Sequence, residues 1–336
     1  MADGDTILVT GATGNVGLET TRVLLQQGCH VRALLRRPDR ARELLHGISD
    51  RRGASATGLP SRLELRSFDF LADSPDQQLF AGVRRLFLVR PPAVGDVGRY
   101  MFPFLRAARE AGVAQVVLLS LLGAERMFFV PHRKLEKEIQ RLGFSHHFLR
   151  AGFFMQNLDT VFVEFIRDAG ELPVPAGNGR TSFVDSRDIG EAAARLLLSY
   201  PPESGPTGTR AVPRTPGGEE VAPGATVEFG SVVFRPSYDL TGSEALSYSE
   251  VAAVLSRELG REIVYTRPSL RRFRKRALSA GWVSAYTRVV GRLFYTVRFG
   301  MAARVSDDLA RILGRAPRRL IDYVRDYRDV WKSSIA

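Results

Sequence analysis

TILVTGATGNVGLETTRVLLQQG, residues 6–28, decides how the rest of the chain is read. Thr6-Ile7-Leu8-Val9-Thr10 is β-rich and unbroken, as a strand buried on both faces of a parallel sheet would be. The residues after Gly14 read as a helix with Val16, Thr20, Val23 and Leu24 on one face, and Gly28 is placed to end it. Between strand and helix stand Gly11, Gly14 and Gly17. Gly11 permits a tight turn, Gly14 lets backbone approach a pyrophosphate, and Gly17 lets helix and strand pack closely. The helix N-terminus offers its free N–H groups and positive dipole end to the phosphates. A glycine turn also serves as a plain βα connection; the strand–turn–helix context is what points to a dinucleotide site.

The second strand, HVRALLR, ends at Arg36 with no carboxylate before Asp39. An acid at this position would accept from the 2′-hydroxyl of NAD, whereas a basic residue accommodates the 2′-phosphate of NADP. The reading is therefore NADP, with NADPH preferred over NADH; the plainer alternative makes Arg36 and Arg37 surface charges at the start of a helix, PDRARELLHG. A polar loop at 47–61 leads to a third strand, RLELRSFDF, and RRLFLVRPP and VAQVVLLSL supply the next two. The helix RYMFPFLRAAREAG lies between these last two. PHRKLEKEIQRLG begins with proline and ends with glycine, with Leu135, Ile139 and Leu142 on a buried face and the charges on the other. HHFLRAGFF is a sixth strand. This alternation predicts an α/β fold with a doubly wound parallel sheet of the Rossmann type. We place the NADP-binding domain at 1–152 and a smaller, mixed, substrate-capping lobe at 153–336. That lobe contributes some sheet and helix to the core and carries a loop insertion at 201–233, rich in Pro, Gly and Thr.

The 336 residues and 44% hydrophobic content suit a globular protein with a substantial core. The start reads as a buried strand rather than a leader, and the longest apolar runs are too short to cross a bilayer. The single cysteine, Cys29, excludes an internal disulfide and fits a reducing, cytoplasmic setting. The net charge of +12 is confined to residues 267–336, and arginine outnumbers lysine 44 to 4. RRFRKR at 271–276 lacks the interleaved aromatics of a single-strand binder, so no nucleic-acid partner is expected. A solvated helical face is favoured there over a nucleic-acid or membrane patch, and some of these arginines facing an acidic substrate is a third reading. His146 and His147 are adjacent in a strand, point to opposite faces and cannot chelate together; no metal site is expected. Asp185 and Asp188 precede a helix, where capping is the simplest role. The aromatic-rich segment 281–300 reads as core or cleft lining.

Taken together, ILVTGATGNVG, VRALLRRPDRA, VVLLSLLGAE, HRKLEKEIQRLGFSHHFLRAGFFMQNL, SFVDSRDIGEAAARLL and YDLTGSEALSYSEVAAVLSRELGREI resemble the NmrA-like proteins, atypical members of the short-chain dehydrogenase/reductase group. The resemblance implies a carboxy-terminal lobe closing over the nicotinamide. It implies that Gly11, Thr13, Gly14, Asn15 and Val16 line the phosphates, that Arg36 meets the 2′-phosphate, and that Asp69 and Phe70 border the adenine. Leu88 and Val89 would lie under the cofactor, with Phe153, Phe154 and Asn157 toward the nicotinamide, the last two on the substrate side.

Carbonyl reducers of the wider group use a Tyr-x-x-x-Lys pair, in which lysine lowers the tyrosine pKa. Four residues before the four lysines stand Val130, Arg133, Arg271 and Arg328, so that pair is absent. In its place the helix carries His132-x-x-x-Glu136, resembling the quinone- and dye-reducing members, and Ser120 matches the group's serine position. His132 and Ser120 are thus the candidate catalytic residues. His132 would position substrate or shuttle a proton; as a helix N-terminal histidine it has a surface or capping role as its plainer reading. Two functions are compatible with these residues. One is an NADPH-dependent reductase of a quinone-like or other conjugated, apolar small molecule, its pocket built from strand ends and aromatic carboxy-terminal helices. The other is a non-catalytic NADP-binding redox sensor that answers to a protein partner.

Overall fold

Parallel strands cannot be joined by tight hairpins, so each must be followed by a crossover that returns the chain to the same end of the sheet. The computed structural model describes residues 6–37, 44–45, 61–127, 130–199, 227–229 and 232–332, and shows that pattern in the described connections of its first half. The elements are β1 (Thr6–Thr10), α1 (Asn15–Gln26), β2 (His30–Leu35), β3 (Leu63–Ser67), β4 (Val83–Val89), α2 (Phe102–Glu110), β5 (Gln115–Leu121), α3 (Pro131–Arg141) and β6 (Ser145–Ala151). They form a seven-stranded sheet in the order 3-2-1-4-5-6, completed beside β6 by Ser237–Leu240. The registers are parallel, with Thr10 opposite Leu34, Val9 opposite Phe87 and Ser120 opposite Arg150. The seventh strand joins through bonds such as Phe148 N–H to the Pro236 carbonyl, 2.9 Å. All six crossover strands therefore end at one edge of the sheet.

Ile7, Leu8 and Val9 are wholly buried, as the unbroken apolar run requires. One face of the sheet packs Leu8, Leu86, Leu88 and Leu118 against Phe104 of α2 and Leu135 and Ile139 of α3. On the other face α1 buries a wider arc than its periodicity indicates. Thr21 and Leu25 are buried beside Val16, Thr20 and Leu24, whereas Val23 is only half-buried. The cause is a second neighbour, the helix Ser186–Leu198, whose Gly190 approaches so closely that a Cβ there would lie 2.5 Å from Glu19 Cβ. Gln115 and Arg85 hold the end of that helix to the sheet, donating to the Leu196 and Leu197 carbonyls at 3.0 and 3.2 Å.

Chain contacts define two compact units. The first comprises Met1–Ala151, Ile189–Asp239 and Arg311–Gly314, the second Gly152–Asp188, Leu240–Ala310 and Arg315–Ala336. The chain passes from the first unit to the second after Ala151 and returns to the first twice, so that residues beyond 152 supply helix and sheet to the first unit. The second unit has its own core, in which helices α4 (Tyr248–Leu259), α5 (Leu270–Ser279), α6 (Ser284–Thr296) and α7 (Leu320–Tyr327) bury Tyr248, Phe273, Phe294 and Tyr323. Asp185 caps the helix Ser186–Leu198, accepting from Arg187 N–H at 2.9 Å. Asp188 does not cap. It is fully buried and accepts from the Arg315 guanidinium at 2.8 Å and the Arg318 backbone N–H at 2.6 Å, with the Arg318 guanidinium also on its carboxylate.

The segment 281–300, expected to be core or cleft lining, joins the core along one face only. Val290, Phe294 and Val297 are buried, but Val283, Tyr286, Val289, Leu293 and Phe299 are exposed. Apart from helical Leu44 and Leu45, the helix expected after Arg37 lies outside the described residues, as do all of the loop at 47–61 but Ser61 and most of 201–233. Within that insertion Val227–Phe229 and Val232–Phe234 pair antiparallel.

Candidate cofactor and active site

At the carboxyl edge of the sheet, β1 runs directly into the glycine turn. Gly11 adopts φ +64°, a left-handed conformation that side chains disfavour, and its carbonyl accepts from Gly14 N–H at 2.9 Å. A Cβ on Gly17 would lie 2.1 Å from the Gly11 oxygen, so only glycine allows α1 to start this close to the strand. Gly14 is the extended residue before α1 and supplies no side-chain cap. The first main-chain bond of the helix is Leu18 N–H to the Gly14 carbonyl, 2.9 Å. The N–H groups of Asn15, Val16 and Gly17 have no partner among the described residues, and Thr13, Gly14 and Asn15 are exposed. Three open donors at a helix start, with a glycine where a Cβ would crowd the turn, fit a pyrophosphate.

Parallel register brings the other predicted positions to the same edge. Arg36 follows β2 directly, is exposed, and has no ion-pair partner among the described residues. Val89, at the end of β4, abuts the turn: a Cβ on Gly11 would sit 3.2 Å from Val89 Cβ. Leu88 points the other way and is buried in the core. Asp69 is half-buried, and its carboxylate accepts from Leu71 N–H at 3.0 Å. The Phe70 ring is buried 5.0 Å from that of Phe104, so only the main chain of Phe70 is left to face a ligand. Thr10, which sequence reasoning passed over, pins the site by accepting from Val89 N–H at 2.8 Å.

Past Val89 the edge carries a polar cluster. Glu136 is fully buried in α3 and accepts from Ser120 Oγ at 2.7 Å and from Arg150 at 3.0 and 2.9 Å. Arg133 adds a contact at 3.3 Å, and Arg150 reaches Glu125 at 3.2 Å. The expected charged outer face of α3 is thus interrupted, since Glu136 turns inward to meet cations and Glu138, also buried, is bidentate with Arg141 at 2.7 Å. Burial of a carboxylate requires such partners. Ser120 is itself buried with its hydroxyl proton directed at Glu136.

His132, one turn earlier, stands apart from that network. Its Nε2 lies 3.5 Å from Arg90 Nε, and Nδ1 is a buried nitrogen with no partner among the described residues. Burial, reinforced by the Arg90 cation and opposed by Glu136, pushes its pKa down to about 4. The imidazole is therefore neutral near pH 7. Because guanidinium only donates, Nε2 faces it as the acceptor, and the ring proton is assigned to Nδ1. Arg90 is fixed by donating to the carbonyls of Pro91, Pro92 and Val94 at 3.0, 3.3 and 2.8 Å.

Phe153, Phe154 and Asn157 belong to the second unit. Phe153–Phe154 pairs with Phe183–Val184, the Phe153 ring lies 5.1 Å from Phe294, and half-buried Asn157 opens the turn Asn157–Thr160. The histidine pair divides as predicted: His147 Nδ1 meets the Arg235 carbonyl at 2.8 Å, while His146 stacks on Phe148. No group of three or more metal-ligating side chains occurs among the described residues.

A doubly wound sheet with an open glycine turn at its switch point defines a protein of the Rossmann type, with the binding edge at the carboxyl ends of its strands. Residues 3–212 match the model of the NmrA-like family, and the chain belongs to that family. The NAD(P)H azoreductase of Xenophilus azovorans is 28% identical over 95% of this chain and 96% of its own. Among solved structures, the NADPH-dependent quinone oxidoreductase of Escherichia coli, complexed with NADPH, superposes with a TM-score of 0.74 at 21% identity, covering 96% of this chain and 99% of that one. The triphenylmethane reductase of Citrobacter sp., complexed with NADP(H), gives 0.71 at 21% identity with the same coverage.

Proposed function

We propose that this protein is an NADPH-dependent reductase that delivers hydride to a quinone-like or other conjugated, apolar small molecule. The observation that carries the reading is the open glycine turn, whose three N–H donors have no partner among the described residues, beside Arg36, likewise without an ion-pair partner among them, where an NAD-selecting acid would stand. NADPH, when bound, supplies the hydride. The backbone of 13–17 would hold the pyrophosphate, Arg36 the 2′-phosphate, and Val89 would support the cofactor next to Gly11. The relatives named for azo compounds and quinones support a conjugated electron acceptor.

The chain's own groups favour an acceptor that needs little help with protons. Ser120 donates to Glu136 and His132 is neutral, so neither is an acid of the tyrosine–lysine kind. A conjugated acceptor takes hydride into a delocalised system, and water can supply the proton afterwards. In this reading His132 positions the acceptor as a neutral N–H donor, and Ser120 acts with Glu136 and Arg150 to hold β5, β6 and α3 in register. That neither Ser120 nor His132 is a poised acid is also what a non-catalytic NADP-binding redox sensor would show.

Loss of reduced-nicotinamide absorbance, measured with purified protein against quinones, azo compounds and conjugated carbonyls, tests the proposal, with NADH alongside and His132→Ala as site control. Turnover with NADPH preference, weakened in the variant, is the expected result. Tight NADP binding without turnover on any acceptor assigns the chain to the sensor reading, and failure to bind NADP(H) overturns both.

A further inference from the structure

Of twelve large apolar side chains exposed on the described surface, eight fall between Leu278 and Val305. On α6, Tyr286, Val289 and Leu293 follow at intervals of three and four, a stripe separate from the buried one of Thr287, Val290 and Phe294. Arg288 and Arg292 form a third stripe beside it. Val283, Phe299 and Met301, exposed by 71, 70 and 62%, extend the apolar surface at both ends. The preceding helix α5 buries Phe273 and Ala277 and turns outward Arg271, Arg274, Lys275 and Leu278, again at helical spacing. α5 and α6 are in contact, for a Cβ on Gly291 would lie 3.0 Å from Leu270 and 3.1 Å from Phe273.

The charge of this stretch of sequence is of one sign, with Arg276 meeting Glu171 from elsewhere in the second unit at 2.7 Å. Between Glu262 and Asp307 stand ten arginine or lysine residues and no acid. Arg271, Arg272, Arg274, Lys275, Arg288 and Arg292 make no ion pair among the described residues. Elsewhere in the chain arginines are neutralised by carboxylates, as at Asp185, Asp188 and Glu136.

We infer that α5 and α6 form a docking surface for an anionic lipid bilayer, with Val283, Tyr286, Val289, Leu293 and Phe299 entering the interface and the surrounding cations pairing with headgroup phosphates. Amphipathic helices bearing both cations and apolar or aromatic residues bind membranes in this way. A nucleic-acid surface has no use for five protruding apolar side chains. A second copy docked by a two-fold axis would bring two like-charged patches together. No helix among the described residues is long and apolar enough to cross a membrane, so the association is peripheral.

Co-flotation of the full chain with vesicles tests this without any cofactor or substrate. The protein should float with vesicles of equal parts phosphatidylcholine and phosphatidylglycerol but not with phosphatidylcholine alone, and high salt should release it. Replacing three cations, R271S/R274S/K275S, should weaken the partition on the order of a hundredfold, since each contributes about fivefold near an anionic surface. V289S/L293S should weaken it by roughly tenfold or more through lost apolar burial. These residues are exposed, and an unchanged melting curve confirms that each variant folds. Equal partition of wild type and variants, or no binding to the anionic vesicles, overturns the proposal. A dimer in light scattering that V289S/L293S dissociates, with no flotation, assigns the face to a second copy instead.

Discussion

Glu136 shows what one buried carboxylate demands of its neighbours. With Ser120, Arg150 and Arg133 all directed at it, its removal takes from the Arg150 cation its bidentate partner and leaves it the single contact to Glu125. Glu136→Leu is expected to lower unfolding free energy by about 3 to 5 kcal/mol, as breaking a buried pair does, whereas Ser120→Ala should cost only about 1 kcal/mol. Urea titration of the two variants checks the contrast. If Arg36 holds the 2′-phosphate as proposed, Arg36→Glu should weaken NADPH binding by at least about tenfold and leave NADH binding undiminished or strengthened, because the 2′-phosphate would lose its partner while a carboxylate can accept from the 2′-hydroxyl. Titration of each nucleotide against the variant decides it.

His132 and His147 are both pushed down to about 4, chiefly by burial. In the unfolded chain each would titrate near 6.5, so between about 6.5 and 4 the unfolded state binds more protons and stability falls as pH falls. Each histidine contributes up to about 3 kcal/mol to that loss, and below pH 4 its contribution is complete. Denaturation midpoints measured between pH 7.5 and 4.5 should drop less steeply in His132→Asn than in the wild type; parallel curves would remove His132 from the account.

At the scale of elements, the close approach of α1 to the helix Ser186–Leu198 depends on Gly190. Gly190→Ala places a methyl 2.5 Å from Glu19 Cβ and 2.9 Å from Thr20 N. Relieving such an overlap costs about 1 to 3 kcal/mol, which a thermal melt would register as a lower midpoint. The crossover strands and the glycine turn were legible in the sequence because their signals are local, written in runs, periods and punctuating glycines within a few residues. Arg150 was not. It stands opposite Ser120 only because β5 and β6 take one particular register, and nothing in HHFLRA identifies that alignment. The same reason hid Arg90, whose relation to His132 spans 42 positions. Asp188 was misread as a cap because its actual partners, Arg315 and Arg318, lie more than a hundred residues away. On 281–300, the apolar and aromatic content could not distinguish a core stripe from an exposed one, since both are apolar.

For the whole molecule, the segregation of charge matters more than its total, and the lack of acids between Glu262 and Asp307 was visible in the sequence before any helix was placed. The seventh strand of the sheet has a different kind of importance. Ser237–Leu240 lies next to β6, whose last residue is Ala151, although the chain between them includes a helix and the whole insertion. During synthesis β6 is complete long before the strand that covers it exists, so the nascent first unit waits with an unpaired edge exposed. Both units are assembled from separate lengths of chain, and neither can be finished while the carboxy-terminal third is still on the ribosome. An order of synthesis that delays the covering strand is thus an order in which β6, if it folds first, is open to pairing with another chain.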